Sequence, residues 1–183
     1  MTVHTVTACG FLGLASFAAG QGAAEKTLPR IASPEALAVE MAKALVSDDR
    51  KRFTALAATR EEMEGMLETA WRPATPEDRQ YVKDKVAEIL ADRGEDFDRF
   101  QAMKKEAGFK EGAAVRFELI DLDAIHEKDG MKKVRHSRVR MFQATEGVKE
   151  ESFLIWLDDM FLFPRGWAFT SVSPGIGKET QKQ

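Results

Sequence analysis

The stretch most suited to chemistry is Lys132–Arg140, which holds five basic side chains and one of the three histidines. In a strand, alternation puts His136, Arg138 and Arg140 on one face with Val134. Asp129-Gly130 predicts a two-residue hairpin turn. Counting outward from that turn sets Asp123 opposite His136, Asp121 opposite Arg138 and Phe117 opposite Phe142. Asp123 would then orient His136 as a general acid or base, while Arg138 and Arg140 hold an anionic group. Phe117 and Phe142 make one end of this face apolar, and Trp156 on the next strand joins the candidate ligand-binding set. The same residues also describe a solvated face laced with ion pairs, with Ile120, Leu122, Val139 and Met141 buried on the other side. A β-bulge near Leu119-Ile120 would swap the faces.

Asp158-Asp159 is the second candidate. It lies between the apolar pairs Trp156-Leu157 and Met160-Phe161. A carboxylate buried in such a strand has a raised pKa and can act as a general base, which makes Asp159 a candidate catalytic residue. Alternation sends the two acids to opposite faces, which argues against a paired-carboxylate mechanism. The alternative is a bend with both acids in water.

Other chemistries are excluded or weakly supported. The chain has 183 residues, 30 acidic and 27 basic, for a net charge of -3, which gives no electrostatic case for nucleic acid. The basic run also lacks the interleaved aromatics of a base-stacking platform. One cysteine and three histidines without paired spacing predict no disulfide framework and no metal site. No phosphate-cradling glycine loop or nucleophile elbow is present, so no cofactor is expected. His126 sits beside the turn among charged residues and reads as exposed.

Elements that must position these residues follow from capping and periodicity. Ser33-Pro34-Glu35 starts a helix, and Leu37, Met41 and Leu45 form its apolar stripe. Asp48-Asp49 interrupts it before a short helix carrying Phe53 and Leu56. Thr59 and Glu62 form a capping box for a third helix that stops before Pro73. Thr75-Pro76-Glu77-Asp78 starts a fourth, with Gly94 a candidate interruption and Gly108 its C-terminal stop. Trp71 and Tyr81 are expected to pack against these helices. Beyond Ala114 the period changes to two, predicting strands over 114–125, 134–144, 151–163 and 167–172. Asp129-Gly130, Glu146-Gly147 and Pro164-Arg165-Gly166 supply the turns. Helices followed by an antiparallel meander give an α+β domain of two layers.

This layout resembles the NTF2-like (cystatin-like cone) superfamily, in particular its exported bacterial members of unknown function. Three features carry the resemblance: paired early helices with Ala44–Phe53, the Thr59-Arg-Glu-Glu-Met63 restart, and a final hairpin Phe161–Phe169 in which Trp167 follows a turn glycine. The resemblance implies N-terminal helices packed on a curved four-stranded sheet that encloses an apolar cavity. It transfers no catalytic residue. Helix throughout 76–107, where most relatives place a short strand, is a departure.

Residues 1–24 contain no charged side chain and read as a signal-peptide-like leader ending in small residues, too short and glycine-broken for a membrane span. The expected organisation is a leader over 1–24, a linker over 25–32, one domain over 33–174 and a frayed tail over 175–183. Export to the periplasm or medium follows, with a cytoplasmic location as the alternative. The expected function is non-enzymatic binding of a small apolar, amphipathic or anionic ligand, or of a partner protein, in the cone's cavity. The alternatives are a small isomerase or hydrolase using His136 with Asp121 or Asp123, and a dimerisation module whose sheet pairs with a second copy.

Overall fold

The computed structural model describes residues 31–144 and 150–179. The leader, most of the linker and the Glu146-Gly147 turn lie outside the described residues. Four helices precede a curled antiparallel sheet that forms a half-barrel, the α+β arrangement expected from the sequence. The helices are α1 (Pro34–Val46), α2 (Arg50–Leu56), α3 (Arg60–Trp71) and α4 (Pro76–Glu106). The strands are β1 (Ala114–Leu122), β2 (His126–Lys128), β3 (Met131–Ala144), β4 (Glu151–Phe163), β5 (Gly166–Phe169) and β6 (Gly175–Lys178).

Each helix begins where its cap predicts. The Ser33 side chain accepts from the Ala36 N–H at 3.3 Å, and Asp49 accepts from Arg52 at 2.9 Å. Reciprocal capping boxes, Thr59 with Glu62 and Thr75 with Asp78, open α3 and α4. α4 passes Gly94 unbroken and ends at Glu106, with Ala107 as its C-cap and Gly108 at φ 79 as the left-handed residue beyond it. Side chains of α4 also close the end of α1. Gln101 donates to the Leu45 carbonyl at 2.8 Å, and the buried Lys104 ammonium donates to the Val46 carbonyl at 3.0 Å. Leu45 also accepts from the Asp48 N–H at 3.4 Å, and the two α4 bonds add to the closure of the last turn of α1 and tie it to α4.

The sheet has six strands rather than the expected four. Its central order is β1-β3-β4-β5, with β2 beside the first residues of β3 and β6 beside β4. The expected strand over 114–125 stops at Leu122 and resumes as β2. The frayed tail expected from residue 175 is corrected by β6, which pairs Gly175 through Lys178 with Trp156 through Phe153. The linker also reaches the sheet, where the Trp167 N–H donates to the Ile31 carbonyl at 2.9 Å.

Leu37, Met41 and Leu45 of α1 and Phe97 and Phe100 of α4 pack with Val139, Met141, Phe153, Ile155 and Leu157 on the concave face of the sheet. All these side chains are buried, so the helices fill the hollow of the half-barrel. Burying each large apolar side chain contributes roughly 1.5–3 kcal/mol. A second, smaller core joins Met63 of α3, Val86 of α4, Phe163 and Ala168. Among the described residues no helix is long and apolar enough to cross a membrane.

Candidate functional site

Two irregularities decide which way the candidate side chains point. The first is a bulge in β1 at Ile120. Leu119 pairs with Val139, yet Asp121 pairs with Arg138, leaving Ile120 unpaired. Beyond the bulge the expected register holds, and Asp121 faces Arg138. Before it every pair is displaced by one, so Phe117 pairs with Met141 and Arg116 with Phe142. The expected Phe117–Phe142 stack is therefore corrected. Phe117 packs against the core, while Phe142 lies outside with the Arg116 guanidinium 3.7 Å from its ring centre. Ile120, expected to be buried, is 37% exposed.

The second irregularity is a kink where β3 and β4 skip one pair. Val134 pairs with Met160 and His136 with Asp158, but Arg135 and Asp159 are not paired. Asp159 adopts φ 47, a conformation that costs a non-glycine residue and bends the strand. The inward set changes parity there. Phe153, Ile155 and Leu157 point into the core before the kink, and Met160 after it. In β3 the same change buries Val134, which was expected to share the face of His136.

On the outer face the structure brings together much of the predicted cluster. Asp123 is tied to His136 twice: its N–H donates to the His136 carbonyl at 3.0 Å, and its carboxylate lies 2.8 Å from Nδ1. Arg138 donates to Asp121 at 2.5 Å, and this bond holds the Asp121 carboxyl below its ordinary range. Asp158 stands beside His136 on the neighbouring strand. Burial pushes its carboxyl up, against the opposing pull of His136. Trp156 completes a shallow hollow of about 260 Å³ with these residues. Arg140 lies beyond this hollow and grips Glu179 through two bonds of 2.7 and 3.0 Å. Asp159 forms the bend and is not among the lining residues of this hollow. The His136 side chain is 67% exposed, so the hollow does not exclude water around it.

The parity change at the kink also creates a larger feature that sequence patterning missed. It turns Met131, Lys133 and Phe161 toward α3. Between α3 and these strands runs a trough whose first compartment, about 720 Å³, has Met66, Met131, Phe161, Leu162 and Phe163 in its walls. Glu61 and the Glu62–Arg165 ion pair, at 3.3 Å, stand in the same compartment. A second hollow of about 620 Å³ continues toward Trp71, sharing Met131 and Phe161 with the first. Trp71 and Tyr81 stack on each other with ring centres 5.4 Å apart, and both remain largely exposed. His126 is exposed, as expected, and lines this second hollow. One signal did mark the trough: Phe161-Leu162-Phe163 completes a run of four apolar residues, Met160 to Phe163, that follows the Asp158-Asp159 bend.

Among the described residues no cluster of three or more histidine, cysteine, aspartate or glutamate side chains could hold a metal ion. The chain matches no family model, no curated protein and no solved structure.

Proposed function

We propose that this chain is a non-enzymatic binding module for a small apolar or amphipathic ligand, and that the ligand lies in the trough between α3 and the β3–β4 pair. The observation that carries this reading is the 720 Å³ compartment walled largely by apolar side chains. Its size falls in the ordinary range for small-molecule sites, roughly 300–1,000 Å³. The resemblance to cone-shaped domains suggested the concave interior instead, but α1 and α4 fill that space with their own side chains. Leu162 is 41% exposed at the trough, an apolar surface that a ligand would cover.

The acid/base alternative rests on His136 and Asp123, whose pairing is well formed but open to water. General acid–base catalysis gains most in a dry, closed site, which this face does not supply. Self-association through the sheet is also less favoured, because the outer face presents ion pairs such as Asp121–Arg138 rather than a continuous apolar patch. Export remains part of the proposal. Sequencing of the native protein should begin beyond Gly20 or Ala24, and a start at Met1 or Thr2 overturns it.

Titration with Nile red, a neutral apolar dye, tests the binding reading. The expected result is saturable binding by the native chain and loss of about tenfold in affinity in Leu162→Glu, the effect of placing a charge in an apolar pocket. Circular dichroism should show the variant folded. No saturable binding by the native chain, or equal binding by folded Leu162→Glu, overturns the assignment.

A further inference from the structure

β3 carries two sets of basic side chains, and the structure treats them differently. On the outer face, His136, Arg138 and Arg140 each meet a carboxylate: Asp123, Asp121 and Glu179. On the trough side, Lys133 and Arg135 have no ion-pair partner among the described residues, nor has Lys128 at the end of β2. All three line the second hollow. The acids in that hollow are Glu127 and Asp129, and Glu127 already faces Lys132 at 3.6 Å. The balance of uncommitted charge there is positive.

The trough is thus polarised along α3. Its lining runs from Thr59 to Thr69 in the apolar compartment and continues with Ala70 and Trp71 in the basic one. The 12 residues of α3 give it a length of roughly 18 Å, room for an extended alkyl chain. At the apolar end the one cation, Arg165, is already engaged by Glu62, and Glu61 adds negative charge. An anionic group is disfavoured there and favoured at the other end. Lys133 marks the boundary, its ammonium 5.6 Å from the ring centre of Phe161, which belongs to both compartments.

We infer that the ligand is a single-chain amphiphile with a carboxylate head, its alkyl tail against Met66, Phe161 and Leu162 and its head between Lys133 and Arg135. This rests on the trough being the binding site and goes further by naming the head group and its direction. The two cations supply charge-assisted hydrogen bonds to the carboxylate, and among the described residues neither has an ion pair that the ligand must first break.

Displacement of Nile red by three probes of equal chain length tests this: dodecanoate, dodecanol and dodecyltrimethylammonium. Dodecanoate should displace the dye at the lowest concentration and the ammonium at the highest. Lys133→Gln and Arg135→Gln should each weaken dodecanoate by about tenfold, the loss of one charge-assisted bond, while leaving dodecanol within a factor of about two. Lys51→Gln on α2, which makes the same change in net charge away from the trough, should leave all three unchanged. Equal displacement by dodecanoate and dodecanol, or equal weakening in Lys51→Gln, overturns the head-group assignment while the binding module stands. A native chain that binds no Nile red overturns both.

Discussion

The indole of Trp156 lies against Gly177 so closely that a Cβ there would come within 3.0 Å of the ring, and a Cβ at Gly175 would come equally close. β6 can pair with β4 at this point because its two glycines leave the strand's face bare for the ring to cover. Gly177→Ala should therefore cost about 1–2 kcal/mol, the usual penalty for overpacking. In a Trp156→Ala background the same change should be close to neutral, because the obstructing ring is gone. Urea unfolding of the two single variants and the double variant measures the coupling. Additive losses would show that the glycines serve something other than the indole.

Acid should loosen β6 before it loosens the rest of the sheet. Arg140 donates to both carboxylate oxygens of Glu179 and holds that carboxyl below its ordinary 4.5. A carboxylate with a depressed folded value contributes its full stability above its unfolded value, and loses it as pH falls through the folded one. The amide resonances of Ile176 and Gly177 should therefore begin to shift only below pH 4.5. In Arg140→Gln the shift should begin at higher pH. A transition at the same pH in both proteins would mean that the ion pair does not hold the strand.

Asp158 predicts the opposite sign. Burial lifts its carboxyl above 3.8 despite the attraction of His136, and the nearby Asp159 and Asp123 add repulsion. A carboxyl with a raised folded value costs stability as pH rises from its unfolded value through the folded one. Asp158→Asn should be more stable than the native chain at neutral pH, and that advantage should vanish below pH 3.8. Thermal melts across this range decide it. A variant less stable at neutral pH would show that the attraction of His136 outweighs desolvation.

Local rules made the helices legible in the sequence, because a helix start is written in adjacent residues. Ser33-Pro34, Thr59 with Glu62, and Thr75 with Asp78 all mark the observed boundaries. The hairpin at Asp129-Gly130 likewise set Asp121 against Arg138 and Asp123 against His136. What stayed hidden depends on non-local geometry. Counting from a turn assumes one residue per partner, and Ile120 breaks that rule, so Phe117 faces inward. The left-handed Asp159 breaks alternation in the same way and turns Lys133 and Phe161 toward α3. Gly175 and Gly177 read as a loose tail because their purpose lies in the ring of Trp156, 19 and 21 residues upstream.

The bulge at Ile120 yields the sharpest test of the register. Leu119 points inward opposite Val139, and Asp121 lies outward opposite Arg138. Joining those two residues directly would restore strict alternation without moving either partner. Deleting Ile120 should therefore leave a folded chain that keeps the Asp121–Arg138 pair. The change should cost only about 1–2 kcal/mol, set by lost local twist rather than by the core, since Ile120 is 37% exposed. Deleting Glu118 instead should displace Phe117 and the residues before it by one position and turn Phe117 away from the core. That variant should lose several kcal/mol, on the scale of removing a large core side chain. Urea unfolding together with the amide spectrum of β3 distinguishes the two. If both deletions unfold the chain alike, the bulge is an integral part of the half-barrel's curvature rather than an insertion that the sheet accommodates.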